Sequence, residues 1–348
     1  MYVPFIQTSK EFKSKPAQNA LHELRGFGIM PDCVVVRTDE PAPTEIAAKI
    51  ARFSGISDDA VILLSNAHTV YEVPLTVYAS GIGPVLDRFT GNTVKPDLSK
   101  WRELAEAQET RFPSTVKIGM VAKYLDNEDT YISVLEALKA AAWSEKVNLD
   151  LSWVDAEDVS EGDLGKLDGI LVPGGFGKRG IDGKIAAARY ALDAKKPYLG
   201  LCLGLQVAVI AAARKGGLDD ADSTEFTSDT KQDVVYIMEG QAGKESTGGT
   251  LRLGDYEAVL TKGSKAAEVY GSLNVTERHR HRYEVNQKFT TEIEAGGLTI
   301  TGTSPDKKLV EYVEAADHPY FVATQAHPEF KSRPSRPHPL FVGLIRAA

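Results

Sequence analysis

Strand-length apolar runs alternate with helix-length amphipathic ones through two separate stretches of this 348-residue chain. That alternation is what most limits the fold, because strands joined by helical crossovers lie parallel in one sheet with helices on its faces. In the first stretch YVPFIQ reads as a strand, and KPAQNALHELRGFG as a helix with Leu21 and Leu24 on one face. DCVVVRT and AVILLS read as strands on either side of a second helix, PTEIAAKIARFSG, with Ile46, Ile50 and Phe53 at helical spacing. Cys33 falls in the first of these strands and reads as a small core residue. Polar, proline-containing sequence then interrupts the pattern, and it predicts a linker carrying a helix over Leu98 to Thr110. The second stretch runs VKIGMVA, EDTYISVLEALKAAAW, NLDLSWVDA, LDGILVPGG, DGKIAAARYALDAKK and PYLGLC. After Asp255 the runs shorten and become more β-like: YEAVL, RYEVN, LTITGT, LVEYVEA and YFVATQ.

A chain of this length predicts two domains. The formal charge of −8 argues against general binding to nucleic acid or anionic membrane. Two distant cysteines make no disulfide framework and fit a reducing compartment. The start, MYVPFIQTSKEF, lacks the features of a signal peptide, and no apolar run approaches the ~18 residues of a membrane span. A cytoplasmic protein is expected, with neither nucleic acid nor membrane as partner.

One corner carries chemistry. In YLGLCLGLQV, Cys202 stands between Gly200-Leu201 and Leu203-Gly204, after a strand and before a helix that ends at Gly216-Gly217. The residue is either a small side chain buried in a tight turn or a nucleophile held out on an elbow. A helix N-terminus stabilises a thiolate there through its dipole and free N–H groups. A cysteine nucleophile also needs a base and a group to orient that base. QAHPEF supplies His327 and Glu329, which point to one side if the segment is extended. Oxyanion donors are expected from the N–H of Gly175, in the glycine-rich turn of ILVPGGFGKRG, and of Leu203. Neither that turn nor GQAGKES has the spacing of a phosphate-binding loop. In ERHRHRYE an extended backbone places Arg278, Arg280 and Arg282 on one face and His279 and His281 on the other. This is either a solvated basic strip or a site for a carboxylate, with Glu225 available to hold an ammonium group. His22, His68, His318 and His338 show no metal-ligand spacing, and no protein-bound metal is expected.

PGGFGKRG, YLGLCLGLQ, DSTEF, GGTLRLG, ERHRHRYEVN, GTSPD and HPEFKSRPSRPHPLF, in this order, resemble the triad-type glutamine amidotransferase domain of CTP synthase. KSKPAQNALHELRGFGIMPD and VYEVPL are similar to the latter part of that family's ATP-dependent amidoligase domain. The resemblance implies the rear part of a parallel-sheet, P-loop-like ligase domain over 1–88, a linker over 89–115 and a class I glutamine amidotransferase domain over 116–348. The second domain is expected to be α/β with a mixed central sheet. The resemblance also implies Cys202 as nucleophile, His327 as base and Glu329 as its orienting partner. Gly175, Leu203, Gln206, Glu225 and Arg282 would contact glutamine. Lys13, Lys15, Gln18 and Lys49 match nucleotide-contacting positions, and the loop from Phe176 to Arg179 lies in the region that responds to GTP.

By resemblance, glutamine hydrolysis supplies ammonia for converting UTP to CTP with ATP and Mg²⁺, and GTP acts as activator. No tightly bound cofactor is expected. The family's phosphate-binding loop and metal site precede the first residue here, so the chain reads as N-terminally truncated and its ATP and Mg²⁺ site as incomplete. Glutamine hydrolysis is the reaction expected of this chain; CTP formation awaits the missing ligase part, as does the binding of UTP and ATP. That part, or the family's tetramer, is the expected partner. Departures from the family's pattern are Ala17, Ser65-Asn66-Ala67, Leu205 and Ala326. Two further readings remain: a non-catalytic interaction protein modulating CTP synthase assemblies, and an amidotransferase serving another acceptor.

Overall fold

A computed structural model describes residues 1–123, 125, 128–238 and 251–348. GQAGKES and the first three residues of GGTLRLG therefore lie outside the described residues. The chain divides into two compact units, Met1–Thr110 and Arg111–Ala348.

In the first unit β1 (Phe5–Ile6) and β2 (Glu11–Phe12) form an antiparallel pair. Helix α1 (Lys15–Gly26) has Pro16 in its first turn, where the missing N–H costs nothing, and it buries Ala17, Gln18 and Leu21. Strand β3 (Val34–Thr38) buries alternate residues and pairs in parallel with β4 (Val61–Ser65), in register from Val34–Val61 to Thr38–Ser65. The crossover is α2 (Thr44–Ser54), which stops at Gly55 in the left-handed region. Val3, Leu21, Val36 and Ile50 lie in its core. Three helices follow: α3 (Val73–Ala79), α4 (Ile82–Thr90) and α5 (Ser99–Glu109). Two expectations fail here. Phe53 is 54% exposed although it shares the helical spacing of buried Ile50, and Cys33 lies half-buried just before β3 rather than in it.

The second unit begins with β5 (Thr115–Ala122), α6 (Ile132–Ser144), β6 (Asn148–Asp155), α7 (Glu161–Gly165) and β7 (Gly169–Val172). It continues through α8 (Ile181–Ala194), β8 (Tyr198–Leu201) and α9 (Leu203–Lys215). Next come β9 (Asp222–Ser223), β10 (Asp233–Ile237), β11 (Arg252–Leu260), α10 (Lys265–Tyr270), β12 (Asn274–His281) and β13 (Tyr283–Val285). The last elements are α11 (Thr290–Ala295), β14 (Thr299–Thr303), β15 (Val310–Glu314), β16 (Phe321–Thr324) and α12 (Pro339–Ala347).

Nine of these strands form one mixed sheet in the order β12-β11-β14-β15-β16-β8-β7-β5-β6. The run from β16 to β6 is parallel, and the run from β12 to β16 antiparallel. The expected mixed central sheet is present. Strands β13, β10 and β9 make a smaller sheet. Successive residues of β7 feed opposite cores: Ile170 and Val172 pack with α8 and α9, Leu171 with α6 and α12. Helix α9 is buried from Leu203 to Ala213, which explains why its sequence is apolar on every side. Ligands of such sheets sit beyond the carboxyl ends of the parallel strands, and β7, β8 and β16 end side by side. Among the described residues no helix is long and apolar enough to cross a membrane.

Candidate active site

The carboxyl end of β8 runs straight into Cys202, which caps α9 with φ 51° and ψ −100°. An L-residue adopts that conformation only when its surroundings impose it, and such strain gathers at functional sites. Close packing imposes it here. A Cβ on Gly204 would lie 2.2 Å from the carbonyl oxygen of Val172 in β7, and one on Gly200 would lie 2.7 Å from the Gly204 carbonyl. The Cys202 N–H donates to the carbonyl of Thr324 at 2.8 Å, tying the elbow to the end of β16. The two glycines are therefore needed for approach, and the elbow brings three strand ends together.

Past β16 the chain delivers His327 and Glu329. Nδ1 of His327 lies 2.7 Å from Oε1 of Glu329, which leaves Nε2 for Cys202. The contact is not made by extended backbone as expected, because Pro328–Phe330 is a single 3₁₀ turn. The His327 N–H donates to the carbonyl of Arg278 at 2.7 Å, and its ring stacks on Phe330. Burial opposes a charge on His327, but a hydrogen bond and charge attraction from Cys202, with Glu329 behind, outweigh it and raise its pKa well above the usual imidazole value.

Cys202, His327 and Glu329 line a cavity of about 260 Å³ together with Gly174, Gly175, Phe176, Tyr131 and Arg280. Gly175 approaches the first residue of α9: a Cβ on it would lie 3.3 Å from Cδ2 of Leu203. Leu203, Gln206, Glu225 and Arg282 do not line the cavity. Gln206 is buried and donates to the carbonyl of Tyr283 at 3.1 Å. Glu225 accepts from the N–H of Gly177 at 2.7 Å. Burial raises its pKa, with that N–H, Lys123 and Arg282 opposing. Phe176 is 55% exposed at the rim, and Arg179 pairs with Glu157 at 2.8 Å.

In ERHRHRY the strand alternates as expected up to His281, where β12 ends; Arg282, expected beside Arg278 and Arg280, lies beyond it and is half-buried. His279 and His281 are buried, whereas Arg278 and Arg280 are exposed. Burial, with the charges of His281 and Arg252, drives His279 down to about 2; burial and Arg252 drive His281 to about 3. Both are therefore neutral at physiological pH, and neither can take up a proton as a base does. In the first unit Lys13, Lys15, Gln18 and Lys49 meet in one groove of about 470 Å³ with Lys10 and Glu11, and Lys13 pairs with Glu11.

Two lysines escaped the sequence reading. Lys123 follows β5 and donates to the carbonyls of Phe176 and, at 3.4 Å, Gly177. Lys184, fully buried, reaches the Pro173 carbonyl at 3.5 Å. Burial and the neighbouring Lys123 push Lys184 down to about 7, with Cys202 opposing. The glycine-rich turn thus rests on the amino groups of two lysines beside the elbow, donors that favour developing negative charge. Lys184 had a readable signal: it interrupts the apolar stripe of Ile181, Ile185 and Ala188 on α8.

Residues 126–347 match the family described as "Glutamine amidotransferase class-I", and residues 1–89 match "CTP synthase N-terminus". The chain is 46% identical over 350 residues to CTP synthase of Methanothermobacter thermautotrophicus, across 100% of this chain and 66% of that protein. It is 47% identical over 353 residues to CTP synthase of Carboxydothermus hydrogenoformans, across 99% of this chain and 66% of that protein. It thus spans about two thirds of the length of the curated relatives it matches. Among solved structures, the Trypanosoma brucei CTPS glutaminase domain with bound acivicin aligns with a TM-score of 0.63 and 39% identity. That alignment covers 67% of this chain and 93% of the solved one.

Proposed function

The chain belongs to the CTP synthase family, and on that premise we propose that it carries the family's glutamine-hydrolysing half-reaction, with Cys202, His327 and Glu329 as its triad. The carrying observation is the strained elbow that holds Cys202 in one cavity with His327 and Glu329. Cys202 passes its proton to Nε2 of His327, and the thiolate attacks the side-chain carboxamide carbon of glutamine. The oxyanion meets the N–H groups of Gly175 and Leu203, with the amino groups of Lys123 and Lys184 behind the turn. Collapse expels ammonia, which takes the proton from His327. A water deprotonated by His327 then hydrolyses the glutamyl thioester, and glutamate leaves with the thiol restored. Glu225 holds the substrate ammonium, Arg282 its carboxylate, and Gln206 is a further contact to glutamine.

In the whole family protein this ammonia is spent on UTP with ATP and Mg²⁺. The groove around Lys13, Lys15, Gln18 and Lys49 suits nucleotide phosphate. Its single carboxylate, Glu11, is tied to Lys13, so these residues do not fit the metal. The loop of Phe176 and Arg179 is where GTP acts. The working form is cytoplasmic and oligomeric, with residues 1–88 and 116–348 as its two functional domains.

The test supplies glutamine, UTP, ATP, Mg²⁺ and GTP, follows ammonia and CTP together, and uses Cys202→Ala as control. Ammonia that depends on Cys202, without CTP, is the expected result. Ammonia unaffected by Cys202→Ala, or none at all, counts against the assignment, and CTP shows that the ligase half is complete.

A further inference from the structure

Gln325 stands two residues before His327, is fully buried, and has no part in the triad. Its backbone N–H donates to the carbonyl of Glu311 at 2.9 Å, extending the β16 pairing with β15. Its side chain carries Nε2 to 3.7 Å from Sγ of Cys202. Its Oε1 accepts from Nε2 of Gln206 at 3.3 Å, and the same Gln206 nitrogen donates to the Tyr283 carbonyl at 3.1 Å.

Chemistry fixes the direction of this chain. A backbone carbonyl only accepts, so Gln206 must turn its amino group towards Tyr283, and that group is the one that reaches Gln325. Gln325 must therefore answer with its oxygen, which leaves its own amino group facing the sulfur. Reversing the Gln325 amide would set two amino groups against each other.

We propose that Gln325 is a catalytic residue whose amide N–H hydrogen-bonds the thiolate of Cys202, and that Gln206 orients it. This rests on Cys202 being the nucleophile. An N–H donated to sulfur favours the thiolate over the thiol. The Arg280 carbonyl, 4.0 Å from Sγ, suits the thiol instead. No proton moves from Gln325: the thiol proton still goes to His327, and the amide holds the sulfur charge until the carbon–sulfur bond forms.

The test is the rate of iodoacetamide alkylation of Cys202 in the full chain between about pH 5 and 9, a window centred on the usual imidazole and thiol range. Cys202→Ala measures the contribution of Cys33. Gln325→Met removes the donor at similar size, and Gln325→Glu keeps the contact to Gln206 while facing the sulfur with oxygen. Circular dichroism and thermal melting establish that each variant is folded. Gln325→Met is expected to move the acid limb of the profile up by about one pH unit, about tenfold slower reaction on that limb, converging with the parent at alkaline pH. Gln325→Glu moves it at least as far and decides the matter if Gln325→Met does not fold. An unshifted profile in a folded variant overturns the proposal, as does equal slowing at every pH, which is the mark of a merely displaced sulfur. If Cys202 of the unsubstituted protein reacts no faster than Cys33, the nucleophile assignment itself has failed.

Discussion

His327→Ala lowers glutamine hydrolysis by about 10³-fold, within the range that a positioned general acid–base contributes. The imidazole has two duties in the proposed cycle, taking the thiol proton and returning a proton to departing ammonia, and nothing else in the cavity can do both. His279 and His281 are held neutral by burial and sit on the buried face of β12. The substitution also leaves Glu329 buried with neither oxygen bonded, since Oε2 has no partner among the described residues and Oε1 loses His327. A stability loss accompanies the kinetic one, so His327→Asn is the companion variant: it keeps a donor for Glu329 and should be equally inactive. Glu329→Gln separates orientation from charge. Glu329 helps raise the pKa of His327, so removing its charge lowers that pKa. The imidazolium that protonates the leaving ammonia is then lost at lower pH, and the alkaline limb of the pH–rate profile moves down. That limb belongs to the coupled Cys202–His327 pair, and steady-state ammonia release across pH reads it.

Gly204→Ala destabilises the second unit by about 3 kcal/mol and removes glutaminase activity, although it adds a single methyl. The methyl would meet the Val172 carbonyl at 2.2 Å. That oxygen is backbone, so no side-chain rotation relieves the clash; either α9 retreats from the sheet or β7 bends. Both moves displace the site, because Val172 leads into the glycine-rich turn and Gly204 follows the elbow by two residues. Gly162→Ala in α7 is the matched control: its Cβ would meet only Ser160 Oγ at 3.9 Å. It is expected to be neutral or to stabilise by up to about 1 kcal/mol. Denaturant unfolding of the two variants reads the difference, and equal midpoints would show that the elbow tolerates the methyl.

The parallel half of the sheet was legible because buried strands and amphipathic crossovers leave different periods in the sequence, and β7, β8 and β16 all fall inside quoted apolar runs. The elbow was legible because only small residues let a helix start so close to a neighbouring strand. Other features were not. Phe53 keeps the helical spacing of Ile50 yet faces outward, since spacing names a face but not its width. The contact between His327 and Glu329 was read from extended geometry, whereas Pro328 turns the chain and reaches the same pairing another way. Lys123 and Lys184 carry charges that composition places on a surface, and the carbonyls of the glycine-rich turn that receive them are set by the fold. Gln325 looked like an ordinary strand residue because its meaning depends on Gln206 and Tyr283, both distant in sequence.

The central claim is that Cys202 is a nucleophile shaped for glutamine. It is tested most directly by treating the intact chain with a glutamine-like electrophile such as acivicin and mapping the modified peptide by mass spectrometry. The account predicts one label per chain on Cys202, none on Cys33, slowed by excess glutamine and absent from Cys202→Ala. Labelling of both cysteines alike, or a Cys202 label that glutamine does not slow, would contradict it.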